Sequence, residues 1–422
     1  MLIGVAGKRL LSRLRRTTAL YWLAGPLIPV LLPAAARAQD RPVAVPETVV
    51  EGLDPTGFRL GSFVALPRVN FDVRYDDNIY NRADKIEDGV AVVRPSLRVQ
   101  SDFSRHQIRL DAAAEGRRYF DMTAEDSNQW ALDAAGRLDF ANRFVLAINT
   151  GVARRIERRG TFGDQFFTDR PVAYMDTGVG ATLSRMGGIV EWQASVSTRN
   201  LEYKDASLGG VEIDQSYRDV RRDALAFRID YRRSVKLGVF MRLTGTHLAY
   251  DLGSSRDSKG FSVVGGLSYR ITDLLTVEGA LGYVTQKMDD PSRSDIGALD
   301  YHLSVSWTPT PRTRFELKGE RNVERSPLAI DAAVLQSTII GTATIAVGSR
   351  TFVGLEVGFL RNDYDGFDRR ESRIHGEATI NRTVTKNIAA FVGFSGRHQR
   401  GSGINPREYD GLAARIGARM AI

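Results

Sequence analysis

One stretch, Phe261 to Gln286, restricts the folds open to this chain more than any other. From Phe261 every second residue is apolar or glycine (Phe261, Val263, Gly265, Leu267, Tyr269, Ile271), and the residues between are Ser262, Val264, Gly266, Ser268 and Arg270. Thr272-Asp273-Leu274 then turns the chain. Alternation resumes through Leu275, Val277, Gly279, Leu281 and Tyr283, with Thr276, Glu278, Ala280, Gly282 and Val284 between them. Side chains on a strand point to opposite faces with period two. The stretch therefore predicts a long hairpin with one apolar wall and one small or polar wall. Each arm runs about eleven residues, the length a tilted strand needs to cross a bilayer.

The pattern recurs from Val64 onward and predicts eighteen strands, over 64–79, 90–103, 107–120, 129–140, 144–155, 172–184, 189–203, 220–232, 235–250, 260–271, 275–286, 298–308, 312–322, 334–347, 351–361, 372–382, 388–399 and 408–422. The connectors alternate in length. Short ones fall at Ser104-Arg105, Asn142, Met186-Gly187-Gly188, Ser234, Asp273, Pro309-Thr310-Pro311, Gly348-Ser349-Arg350 and Thr385-Lys386-Asn387. Long ones fall at 80–89, 121–128, 156–171, 204–219, 251–259, 287–297, 323–333, 362–371 and 400–407. Short periplasmic turns, longer outer loops and an even strand number are the habit of outer-membrane barrels. A soluble sandwich uses shorter strands without this regularity, and a β-solenoid repeats more tightly. The fold class expected is all-β, a transmembrane antiparallel up-and-down β-barrel of about eighteen strands. Sixteen is the alternative, because 144–155 and 312–322 are weakly patterned.

Barrel strands hide their apolar residues in alternation, so the slightly negative mean hydropathy does not argue for a soluble protein. Beyond the first forty residues no apolar run approaches the ~18 residues of a membrane helix. Residues 1–38 read as a signal peptide: basic residues up to Arg16, an apolar stretch from Ala19 to Leu32, and Ala36-Arg37-Ala38 as an A-x-A cleavage site. Pro26, Pro29 and Pro33 interrupt that stretch and argue against the alternative of a membrane anchor. Residues 39–63, with Pro42, Pro46 and Pro55, read as a periplasmic lead-in, and 64–422 as the barrel. Residues 1–38 carry Lys8, Arg9, Arg13, Arg15, Arg16 and Arg37 and no acid, so the net charge of +8 falls to +2 without them. The remaining charges are scattered over the strands, which argues against a nucleic-acid partner. The absence of cysteine removes disulfides, thiolate ligands and cysteine nucleophiles.

A charge on the lipid face of a barrel costs about 2–4 kcal/mol at the midplane, so the charged face of each strand belongs to the lumen. The expected lumen-lining and selectivity residues are Arg98, Arg109, Arg117, Arg137, Arg199, Arg228, Arg242, Arg270, Arg314, Arg373, Arg397 and Arg415 among the bases. The acids are Asp111, Glu115, Asp133, Glu191, Asp230, Glu278, Asp300, Glu316, Glu356 and Glu377. Two readings of this wall stand side by side: cross-strand pairs that stiffen a polar surface, or guanidinium rows that guide anionic solutes. Tyr119, Phe120, Trp130, Tyr203, Tyr250, Tyr283, Trp307, Tyr364 and Tyr409 fall near strand ends, where interface girdles belong. Loops 156–171 and 204–219, with Arg158, Arg159, Asp164, Asp169, Arg170, Lys204 and Asp205, are the candidates to fold inward as constrictions.

The most specific motif opens the barrel. Gly57-Phe58-Arg59-Leu60-Gly61-Ser62-Phe63, then Pro67 and an alternating strand, then Tyr75-Asp76-Asp77-Asn78-Ile79-Tyr80, resembles the start of the outer-membrane family called putative β-barrel porin 2. Members of that family are often associated with exopolysaccharide systems. The resemblance implies an outer-membrane conduit and, in its narrower form, export of a secreted polysaccharide with a periplasmic partner. Ile422 departs from the terminal aromatic usual in outer-membrane proteins, although alternation continues through Leu412, Ala414, Ile416, Ala418 and Met420. Asp76-Asp77-Asn78 reads as a turn that bonds local backbone, with a cation site as the less favoured alternative.

The function expected is a passive outer-membrane channel for polar or anionic solutes, reached after secretion to the periplasm. Outer-membrane lipid and lipopolysaccharide are its expected partners, and it needs no cofactor and no metal. A non-conducting barrel that anchors a surface or periplasmic assembly is the second class. A barrel-embedded hydrolase is the third and weakest: His106, His247, His302, His375 and His398 lie on separate segments without ligand spacing, and His302 with Ser304 is an ordinary pair on a polar wall.

Overall fold

The computed structural model of the chain describes residue 53 and residues 57–140, 143–165, 167–252, 254–326, 333–364 and 366–422. Residues 1–38, expected to be a signal peptide, and most of the expected lead-in 39–63 lie outside the described residues.

Alternation of apolar and polar residues produces twenty-one strands and no α-helix among the described residues. They are β1 (Phe58–Leu60), β2 (Phe63–Asp76), β3 (Asp88–Ser101), β4 (Gln107–Tyr119), β5 (Ser127–Phe140), β6 (Phe144–Ile156), β7 (Ala173–Arg185), β8 (Val190–Tyr203), β9 (Ala206–Leu208), β10 (Val211–Ile213) and β11 (Val220–Arg232). The chain continues through β12 (Leu237–Tyr250), β13 (Ser258–Thr272), β14 (Leu275–Met288), β15 (Ile296–Thr310), β16 (Thr313–Arg325), β17 (Ala333–Ala346), β18 (Thr351–Tyr364), β19 (Arg369–Thr385), β20 (Ile388–Gly403) and β21 (Tyr409–Ala421). β1 folds back on β2, and β9–β10 make a small hairpin within one loop. The other eighteen pair antiparallel with their sequence neighbours, β8 joining β11 directly. β21 closes on β2, from Arg68↔Ala421 to Asp76↔Ala413, so the sheet has no free edge. Closure is how a spanning sheet satisfies its backbone in lipid.

The founding hairpin shows how the two faces arise. β13 and β14 set Val263 opposite Tyr283, Gly265 opposite Leu281 and Leu267 opposite Gly279. Large side chains therefore lie beside glycines on the outer wall, while Ser262, Gly266, Ser268 and their partners turn inward. Phe261, Leu267, Leu281 and Tyr283 are exposed there, as the lipid-facing half of a barrel strand should be. Pro95 sits within β3, whose bridges to β4 lapse between Val93↔Gly116 and Ser96↔Ala113, as a residue without an N–H requires.

Each expected strand is present, including the weakly patterned 144–155 and 312–322, which become β6 and β16. These two lack a strong pattern of their own but are paired on both sides. The largest boundary differences are at β19 and β20, which outrun 372–382 and 388–399. Their extra residues at the long-loop end, Arg369–Glu371 and Arg400–Gly403, are polar or glycine, because the strands continue beyond the lipid, and hydrophobic alternation stops where lipid stops. The joints at 362–371 and 400–407, expected to be long, shrink to 365–368 and 404–408 for the same reason. Phe58–Leu60, within the expected lead-in 39–63, forms a short strand on β2.

Candidate permeation path and its outer closure

Register carries one polar face around the whole ring. Arg98 stands opposite Asp111, which stands opposite Asp133, and Arg228 opposite Arg242. Glu278 stands opposite Ser268, and Glu356 opposite Glu377. Each lumen residue named from the sequence falls on this face. Asp111 accepts from Arg98 at 2.6 Å and pairs with Arg109 at 2.8 Å. Glu115 is gripped by Arg94 at 2.6 Å, Arg117 at 2.8 Å and Arg158 at 2.6 Å. Arg199 meets Asp176 at 2.6 Å, and Arg228 meets Asp230 at 2.8 Å and Glu278 at 3.1 Å. Arg137 pairs with Asp139, Glu191 with Arg232, Arg397 with Asp76, and Arg415 with Glu377. Asp300 accepts from Ser262 at 2.6 Å, while Lys318 lies 3.8 Å from Glu316. His375 lies 3.6 Å from Glu356.

Charges of one sign also accumulate. Arg74 stands directly opposite Arg415 across the closing seam, and Arg419 follows on the same face of β21. Arg74 Nε has no hydrogen-bond partner. Toward the short turns, Arg270 and Arg314 face inward and are exposed.

The outer end is built differently. The loop between β6 and β7 leaves the wall and crosses the mouth. Phe162 stacks on Tyr364, ring centroids 5.8 Å apart, and packs on Val334 and Phe367 from β17 and the turn after β18. Those strands lie nine and ten places from β6 in a ring of eighteen, on the opposite wall. Arg407 donates to Thr161 O at 3.0 Å and Asp164 O at 2.8 Å, and Arg373 to Gly160 O at 3.2 Å. Asn81 donates to Arg159 O at 2.8 Å, and the Arg82 guanidinium lies 3.6 Å from the Phe167 ring. On the near side Arg159 pairs with Glu125 at 2.7 Å, and Arg218 with Glu157 at 2.5 Å. The far anchor is Glu371, which pairs with Arg369 at 2.5 Å and accepts from the Arg407 N–H at 3.0 Å.

The guanidiniums of Arg218, Arg159 and Arg407 keep their charge in spite of burial. Burial by itself disfavours a charged Arg218, but the Glu157 carboxylate outweighs it and raises the guanidinium pKa. Arg159 is raised likewise against its own burial by Glu125 and Asp164, and Arg407 by Glu371. An ion pair so enclosed is costly to break on one side alone.

Two expectations need correction here. Loop 204–219 folds inward only at its C-terminal end, where Gln215 and Arg218 are buried; Val211 at the β9–β10 hairpin is 69% exposed and stands in solvent. Of the residues assigned to interface girdles, Phe120, Trp130, Tyr283 and Trp307 do face outward. Tyr119, Tyr203, Tyr250, Tyr364 and Tyr409 share the register of the inward face instead. There Tyr203 stacks on Tyr174 at 5.0 Å and under Arg218 at 3.9 Å, filling the space beneath the loops. Asp76-Asp77-Asn78 make a turn: the Asn78 N–H donates to Asp76 at 3.0 Å, and Asp77 accepts from the Leu412 N–H at 2.7 Å. Among the described residues no group of three His, Cys, Asp or Glu is placed to hold a metal.

A ring of alternating strands with one wet face narrows the comparison to outer-membrane barrels, and a family model for putative beta-barrel porin 2 matches residues 51–422. The chain belongs to the putative β-barrel porin 2 family. Its fold and family imply residence in the bacterial outer membrane. No curated protein sequence matches this porin. Among solved structures it is similar to OpdQ of Pseudomonas aeruginosa, at 11% identity and TM-score 0.46 over 85% of this chain and 97% of that one. It is also similar to OccAB4 of Acinetobacter baumannii, at 9% identity and TM-score 0.46 over 85% and 98%. The siderophore receptor PirA of Pseudomonas aeruginosa shares 8% identity, with TM-score 0.44 over 87% and 81%.

Sequence reasoning missed much of the porin's closure. Glu371 and Tyr364 carried a usable signal, since both hold the inward parity of their strands. Glu125, Glu157, Arg218 and Arg407 lie in connectors, where no periodicity exists to assign a direction.

Proposed function

We propose that this porin is a passive channel for polar and anionic solutes, wide to the periplasm and held shut at the cell surface by the β6–β7 loop. The observation that carries the proposal is the docking of Phe162 and its neighbours on the far wall, above a lumen whose arginines at the short-turn end are exposed. Solvated guanidiniums attract anions and raise their local concentration. The narrower form is export of an acidic polysaccharide handed over by a periplasmic partner; a basic vestibule facing the periplasm supports it.

Planar-bilayer recording tests the reading. The expected result is small anion-preferring current, with transient blocks when acidic oligosaccharides are added on the short-turn side. Neutral oligosaccharides that block equally well would remove the anionic specificity. The crossing loop also favours a second reading, a non-conducting anchor. That reading wins if neither the native barrel nor one without the loop carries current.

A further inference from the structure

Outside the lumen, the wall itself carries a feature that the channel reading does not use. Lipid-facing positions are apolar along most of each strand, but a band of charge appears at the long-loop end. One part of it is ordered. Arg321 on β16 stands opposite Ser337 on β17, Ser337 opposite Arg361 on β18, Arg361 opposite Ser372 on β19, and Ser372 opposite Arg400 on β20. By parity all five side chains point outward. Arg321 donates to Ser337 at 2.9 Å, and Arg370 adds a further guanidinium one row nearer the surface. Two acids lie within reach: Asp363, bonded to Arg361 at 3.0 Å and Arg370 at 2.5 Å, and Asp410, which pairs with His398 beside Arg400.

The next outward row toward the membrane centre is Ile339, Phe359 and Ile374, again in direct register, and it continues as the polar pair His398 and Asp410 beneath Arg400. Ile339 and Ile374 are 44% and 54% exposed. A basic and hydroxylic row therefore lies about 7 Å above an aliphatic row on the same wall, two residues along each strand. Adjacent strands are about 4.8 Å apart, so successive guanidiniums of the row recur every ~10 Å. The short-turn end has no counterpart, since Arg185 and Arg382 stand there singly on separate strands.

We propose that the row Arg321–Ser337–Arg361–Ser372–Arg400 binds the phosphorylated headgroup of an outer-leaflet glycolipid, the lipid A portion of lipopolysaccharide. Guanidinium forks bind phosphate oxygens in two-point contacts, Ser337 is buried and holds Arg321 in place, the Ser372 hydroxyl reaches phosphate or sugar, and the acyl chains lie on Ile339, Phe359 and Ile374. The proposal needs the strands to cross a membrane with long loops outermost. It does not need the barrel to conduct.

The full barrel, purified in detergent, is titrated with bisphosphorylated lipid A and, separately, with the same lipid dephosphorylated, and bound lipid is counted by native mass spectrometry. The wild type should prefer the phosphorylated form and lose affinity as salt rises. The variant R321Q/R361Q/R400Q should bind on the order of a hundredfold more weakly, from the contribution of three basic residues at an anionic surface. R185Q/R382Q should bind as the wild type does. Equal binding of the dephosphorylated lipid, or an unaffected triple variant that still shows heat-modifiable gel migration, overturns the proposal. Should the triple variant not fold, the two lipids on the wild type decide alone.

Discussion

The two ends of the lumen are made from the same inward-facing alternation and put it to opposite uses. At the short-turn end Arg270, Thr276, Ser306 and Arg314 are exposed, held in place by strand register and little else. At the long-loop end Asn78, Glu125, Glu157, Arg218, Val334 and Glu371 are buried. There the ionic groups are spent on one another and on a loop that crosses from one wall to the other. Lining a wet path requires charges that water can reach, whereas closing it requires charges satisfied within the protein. The difference lies in what the connectors supply, since the strands at both ends follow one rule.

Replacing residues 158–170 by a short glycine-serine linker breaks this contrast most severely. Single-channel conductance should rise several-fold, and an unchanged trace would show that the mouth is not the narrow point. Arg407→Ala comes next. It removes two carbonyl contacts to the loop and one partner of the buried Glu371, which should weaken docking by about 3 kcal/mol. Limited proteolysis within the loop should quicken while heat-modifiable migration of the barrel stays the same. Gly160→Val acts on the same contact more gently. Gly160 has φ +74°, and a Cβ there would come within 2.6 Å of Asn81, so strain of about 1–2 kcal/mol should appear as more frequent open events.

At the other end, Arg314→Glu should leave stability within about 0.5 kcal/mol and reduce the anion-to-cation permeability ratio measured from reversal potentials. The smallest effect expected is acid-dependent. The N–H groups of Gly210 and Gly209 hold the Asp169 carboxyl below its usual range, tying the crossing loop to the β9–β10 hairpin. A depressed carboxyl stabilises that contact above its unfolded value of about 3.9, and the contribution disappears as pH falls through the folded value. A probe attached through Val211→Cys, in a chain otherwise free of cysteine, should keep constant mobility from about pH 7 to 4 and loosen only below.

The strands were legible because lipid outside and water inside impose a strict period of two, which even glycine-rich segments such as Phe261–Gln286 obey. Polar extensions such as Arg369–Arg370 were harder to read, since outside the bilayer neither face must be apolar. Tyr203, Tyr250 and Tyr364 show a further limit: position near a strand end marks an interface girdle only for residues of outward parity, and the parity of these three, visible in the sequence, places them inward. The loop crossing was foreseen only as a region. Phe162, Arg407 and Glu371 come from distant parts of the chain, and nothing local encodes their meeting.

The seam between β2 and β21 has a consequence for biogenesis. Arg68 and Ala421 are register partners on adjoining strands although nearly the whole barrel sequence separates them, so the ring cannot shut while its C-terminal strand is still being synthesised. Until then two strand edges are unsatisfied, a state lipid does not tolerate but a holding chaperone can shelter. Insertion should thus be all-or-none, with any product truncated ahead of Tyr409 degraded instead of embedded.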